Sequence, residues 1–377
     1  MPARISVHKF AFPTTIHFGP GSRKLAGAHL ADARCRRPLL VTDQGIAALP
    51  MLAEFRSTLA GLEVAIFSGV LGNPVASQVR EGVRAFRAHG ADGVIGFGGG
   101  AALDVAKAVA LMAGHPGDIL EYAWDHPRPL AIDQPLPHLV ALPTTAGTGS
   151  EVGRSAVISE DATHVKRVIF SPALLAKAVF ADPELTLDLP APITAATGMD
   201  ALTHNVESYL SPAYHPLCDG IALEGVRIAA RALPVAVAQP RNLQARGDML
   251  MASMMGAIAF QKDLGAVHSC AHALSTVANL HHGLANGVMI DHVMQFNRSA
   301  AEAKMAELAR VAGTADLIRW LAELKARIGI PAKLGKLGVK REQVPRLVEI
   351  ALADVCHKTN PRPCTRQDFE QLFASAL

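Results

Sequence analysis

The chain has 377 residues, half of them apolar and 18% charged, with 31 glycines and 24 prolines spread along it. That exceeds the roughly 250 to 300 residues at which a single hydrophobic core stops growing, so two domains are expected, and the composition excludes a disordered or fibrous chain. A formal charge of +3 with only short basic clusters such as RCRR excludes an extended nucleic-acid footprint.

The N-terminal MPARISVHKFAF lacks the apolar run and small-residue cleavage site of a signal peptide. Beyond it, short apolar runs (RPLLVTD, LEVAIFSG, ADGVIGFGGG, PHLVALPTT) alternate with helix-like stretches such as SQVREGVRAFRAHG. This rhythm predicts βαβ units and a parallel, Rossmann-like sheet. Asp43, just past RPLLVT, is placed either to accept hydrogen bonds from an adenosine ribose or to cap the next helix.

GVIGFGGGAALDVAKAVAL reads as a buried strand, a turn at Gly98, Gly99 and Gly100, and a helix beginning near Ala101. Without Cβ atoms the turn lets backbone N–H groups approach a diphosphate, and the helix N-terminus adds partial positive charge. It is neither GxGxxG nor a Walker loop, so a plain strand-to-helix turn competes with this reading. LPTTAGTGSEVG then sets Thr144, Thr145, Thr148 and Ser150 around two glycines directly after an apolar run. Such a hydroxyl-lined loop at a strand's C-terminal end is where ligands bind in open α/β sheets.

DPELTLDLPAPIT carries three prolines and several capping residues. The boundary is placed there, giving a nucleotide-binding α/β domain at 1–187 and an all-helical metal-binding domain at 188–377. In GMDALTHNVESYLS, Asp200 and His204 lie four apart at helical period, on one face, able to hydrogen-bond each other or to converge on one ion. MLMASMMGAIAF is too short to span a bilayer and reads as a buried helix. GAVHSCAHALSTVANLHHG then brings His268, His272, His281 and His282 within nineteen positions, His268 and His272 again four apart. One carboxylate and three imidazoles suit Fe²⁺ or Zn²⁺. The five cysteines are scattered and form no CxxC pair, which points to a reduced, cytoplasmic protein.

GGGAALDVAK, LPTTAGTGSE, DPELTLDLP, GMDALTHNVESYLS, VHSCAHALS followed by HHGLANGVM, and DVCHKTNPRPCT occur in that order. Through them the chain resembles the iron-containing alcohol dehydrogenase family (group III) over nearly its whole length. The resemblance implies Asp200, His204, His268 and His282 as metal ligands, His281 as a bystander where members often have proline, and His272 as a proton-handling group near the nicotinamide. It also implies Gly98, Gly99, Gly100 and Asp104 beside the diphosphate and nicotinamide, Thr144, Thr145 and Thr148 around NAD(H), and Lys166 near the cofactor ribose. Ala101 departs from the serine usual after the three glycines, and HALS from the common HPLG, but neither removes a ligand.

The implied activity is reversible, metal-dependent, NAD-linked oxidation of a short primary alcohol to an aldehyde, in a homodimer or a multiple of one, with no membrane or nucleic-acid partner. FQKDLGAVHS and DVCHKTNP most resemble members acting on 4-hydroxybutyrate, and Lys262, Lys358 and Arg362 are candidates to pair with its carboxylate. Lactaldehyde or 1,2-propanediol, and simple alkanols, are the alternative substrates. A 3-dehydroquinate synthase-like lyase and a metal-free maleylacetate reductase are the competing reactions; the DALTH aspartate and the four intact ligand-type residues argue against them.

Overall fold

The computed structural model describes residues 10–12 and 14–377, so most of MPARISVHKFAF lies outside the described residues. Among the described residues eight strands form early: β1 (Thr15–Phe18), β2 (Pro38–Asp43), β3 (Ala65–Val70), β4 (Gly93–Gly98), β5 (His138–Pro143), β6 (Ser155–Ser159), β7 (Lys166–Phe170) and β8 (Ala178–Ala181). Six make one sheet in the order β1-β8-β5-β4-β2-β3, and every pairing in it is parallel. Each residue of β4 is buried. A parallel sheet covered on both faces needs such near-continuous apolar strands rather than alternation.

Successive side chains still part to opposite faces. Leu40, Ile95, Phe97, Val140 and Phe180 pack on one side, while Leu39, Val41, Val94, Ala141 and Val179 join the larger core on the other. The helices Ala76–His89 and Gly100–Gly114 fall where the apolar period predicts them. The antiparallel hairpin β6–β7 interrupts this rhythm and stands apart from the main sheet. A βαβ reading does not foresee it, because a hairpin needs only local turn geometry and no crossover.

After β8 no further strand occurs among the described residues, and a series of helices begins with Ala191–Leu210. This helix, which carries Asp200 and His204, is buried along most of its length and packs against Pro216–Ala238, Leu243–Ala259 and His282–Asn297. The expected boundary at 187/188 falls between β8 and this helix. Among the described residues no helix is long and apolar enough to cross a membrane, and all five cysteines are free.

Candidate active site

A cleft of about 950 Å³ separates the sheet's C-terminal edge from the helices. Gly99, Gly100, Asp104, Thr145 and Thr148 line it from the sheet side, Lys166 from β7, and Asp200, His204, His268, His272 and His282 from the helices. Because β4 and β5 are neighbours, the glycine turn and the threonine loop emerge side by side, joined by a bond from Thr144 N–H to the Gly98 carbonyl (3.0 Å). A Cβ on Gly100 would lie 2.6 Å from Thr148 Cγ2. Only glycine lets the two loops close up and leave the helix N-terminus facing the cleft.

Gly98 and Thr144 support these loops from beneath and do not line the cleft. Asp43 caps the short helix after β2, its Oδ1 accepting from Ile46 N–H (2.8 Å), and stands beside Gly98. Asp104 accepts from Ser150 Oγ (2.6 Å) and Val157 N–H (3.0 Å), tying the glycine helix to the hairpin. Beneath it the buried Lys107 ammonium donates to the carbonyls of Ser150 and Ser155 and to Ser150 Oγ. Lys166 stands between the nucleotide loops and the histidines; burial lowers its amine, opposed by the charges of Asp200, Asp104 and Asp354.

Asp200, His204 and His268 are buried, with ligand-capable atoms all within 4.8 Å of one another. His282 Nε2 lies 3.4 Å from Asp200 Oδ1, and His268 Nε2 lies 3.8 Å from it. His282 opens the helix His282–Asn297, capped by the His281 ring, whose Nδ1 accepts from Leu284 N–H. A Cβ on Gly283 would meet the Ala196 carbonyl oxygen at 2.3 Å, so glycine there lets this helix press against the Asp200 helix.

Burial lowers His204 to about 4 and His282 well below the ordinary histidine value, keeping both imidazoles neutral, the form that ligates metal. His204 Nδ1 is buried without a hydrogen-bond partner. A buried carboxylate and imidazoles whose ligand-capable atoms converge within 4.8 Å form a donor set that a divalent cation would complete.

Three supporting residues escaped the sequence reading. Glu207, one helical turn past His204, accepts from the backbone N–H groups of Gly265 (3.0 Å), Val267 (2.7 Å) and His268 (3.3 Å) and from His268 Nδ1 (2.6 Å). It therefore caps the helix Ala266–Ala278 and turns His268 Nε2 toward Asp200. Asn286 donates to Asp200 Oδ1 (2.7 Å). Asp354 accepts from His272 Nδ1 (2.8 Å). Burial would raise the Asp354 carboxyl, but His272 and Ser269 outweigh it and hold it well below the usual range. The only advance signal was the i,i+3 step from His204 to Glu207.

Two of the three expected carboxylate partners are corrected. Lys262 is buried and ion-paired with Asp219. Arg362 lies 3.9 Å over the Phe296 ring and also bonds Asp368. Neither faces the cleft, because each cation has a nearer partner in the fold; Lys358 does line it and is exposed.

The iron-containing alcohol dehydrogenase family matches residues 13–183, and the C-terminal family of Fe-containing alcohol dehydrogenases matches residues 194–377. A 4-hydroxybutyrate dehydrogenase of Cupriavidus necator is 37% identical over 97% of this chain and 98% of its own length. An NAD-dependent methanol dehydrogenase of Bacillus methanolicus is 34% identical over 98% and 99%. The crystal structure of a 1,3-propanediol oxidoreductase superposes with a TM-score of 0.93 at 38% identity, covering 99% of this chain and 100% of that one. With a glycine-turn sheet and an Asp/His cluster facing one cleft, and matches along almost its full length, this chain belongs to the iron-containing alcohol dehydrogenase family, whose members are metal-dependent, NAD(H)-linked oxidoreductases.

Proposed function

We propose that this enzyme oxidises short primary alcohols bearing a distal carboxylate, 4-hydroxybutyrate foremost, and reduces the matching aldehydes. The observation that carries the reading is the shared cleft: the glycine turn and threonine loop stand on one wall and the Asp200, His204, His268 and His282 set on the other. In this reading those four residues hold Fe²⁺, or Zn²⁺ in its place, and Gly98, Gly99, Gly100, Asp104, Thr144, Thr145, Thr148 and Lys166 serve NAD(H). When bound, the metal polarises the substrate oxygen and the nicotinamide carries the hydride.

The chain's own groups do the rest. His272 takes the alcohol proton toward solvent from its place on the cleft wall. Lys358, exposed on the lining, pairs with the distal carboxylate, and the 37% identity to a 4-hydroxybutyrate dehydrogenase supports that substrate. A neutral diol is the second reading, favoured by the 38% identity to the 1,3-propanediol enzyme. Asp43 accepts from the adenosine ribose, so NADP should serve worse than NAD; a preference for NADP would contradict that role. We further assign the protein to the cytoplasm as a homodimer, in keeping with its five free cysteines and the family resemblance.

The test is NADH absorbance with metal-loaded protein offered 4-hydroxybutyrate, 1,3-propanediol and methanol. Lys358→Ala should raise KM for 4-hydroxybutyrate roughly fivefold more than for the diol, as an exposed ion pair of about 1 kcal/mol dictates. Equal effects on both would remove the carboxylate reading. His268→Ala should lose bound metal and turnover while still binding NAD; full metal content would refute the ligand assignment.

A further inference from the structure

We infer that Asp354 is a positioning residue for His272, fixing which imidazole nitrogen carries the proton and which faces the cleft. The inference rests on the reading of His272 as the proton-handling group.

The hydrogen bonds leave one arrangement. Asp354 Oδ1 accepts from Ser269 Oγ (2.7 Å) and Cys356 N–H (2.9 Å), and Oδ2 lies 2.8 Å from His272 Nδ1. Ser269 Oγ itself accepts from His357 N–H (2.9 Å), so the hydroxyl proton points to Asp354. An ionised carboxylate only accepts, so His272 must present Nδ1–H, and in the neutral ring Nε2 is then the free lone pair. The ring is held from the side as well: it stacks on His282 with centroids 5.1 Å apart and planes inclined by 18°. One turn earlier on the same helix, Glu207 grips His268 through the same nitrogen. The helix Ala266–Ala278 thus carries two histidines, each turned by a carboxylate from another element.

Without the Asp354 charge, the other tautomer would put a proton on Nε2 and remove the acceptor from the cleft. An imidazole in the wrong tautomer loses acid/base function while its surroundings stay in place. A mere clasp between the helix and the Cys356–Thr359 turn would hold the same residues together without this dependence.

A double-mutant cycle on the metal-loaded enzyme separates the two. Asp354→Asn should lower kcat about tenfold or more, with KM for NAD and metal content unchanged, and should lower it no further in a His272→Ala background. An equal fall in both backgrounds, or no fall in either, overturns the inference. Full turnover by His272→Ala alone would overturn the proton-handling reading and the inference with it; loss in His272→Ala without loss in Asp354→Asn overturns the inference alone. If Asp354→Asn does not fold, Ser269→Ala runs the same cycle by freeing the carboxylate from its anchor, with a smaller loss and the same non-additivity expected.

Discussion

Replacing Glu207 by glutamine tests the link between helix capping and metal binding. Four N–H donors converge on this buried carboxylate, from Gly265, Val267 and His268 and from the His268 ring. Glutamine keeps one acceptor oxygen. Set at the Oε2 position it still serves three donors, but its own NH₂ then faces the Val267 N–H. Stranding one buried donor costs about 1 to 3 kcal/mol, and the remaining bonds lose their charge assistance, so the metal-free protein should lose about 3 kcal/mol. Loosening the carboxylate–histidine pair should also weaken metal binding roughly 10- to 100-fold. Glu207→Ala strands all four donors, on the order of 5 kcal/mol, which approaches the whole stability of many domains. Urea unfolding of the metal-free protein and competition with a metal chelator read the two effects. Stability within about 0.5 kcal/mol of wild type, with unchanged metal Kd, would refute the reasoning.

Two further perturbations follow from packing and charge. Gly283→Ala drives a Cβ to 2.3 Å from the Ala196 carbonyl; overpacking of about 1 to 3 kcal/mol should outweigh alanine's better helix propensity and push His282 away from Asp200. A lower Tm together with weaker metal binding is expected, and unchanged values for both would show that the helix contact yields freely. Glu151 is buried, with Oε1 unpartnered and its carboxyl pushed up to about 7 by burial. The folded state therefore holds a proton that the unfolded chain releases, so stability falls as pH rises from 4.5 to about 7. Glu151→Gln should stabilise the protein at pH 8 by up to about 3 kcal/mol and little at pH 5; an equal Tm change at both would contradict this.

Local pattern carried much of the fold and part of the site. Apolar runs flanked by turn residues marked β2 to β5, the i,i+4 spacing put Asp200 and His204 on one face, and the HHG sequence opened the His282 helix. Each feature depends on a few consecutive residues. The hairpin bearing Lys166 was not legible, because nothing in its alternation distinguishes it from another sheet strand.

By itself the sequence determined which residue types were available for the chemistry and on which elements they stood. Only the tertiary structure decided their partners. Glu207 meets His268 from 61 residues away, Asp354 meets His272 from 82, and Asn286 meets Asp200 from 86. The same long-range packing drew Lys262 onto Asp219 and Arg362 onto Phe296, leaving Lys358 on the cleft. A side chain's charge and reach are set by its identity, but the nearest group able to satisfy it is set by how distant segments pack.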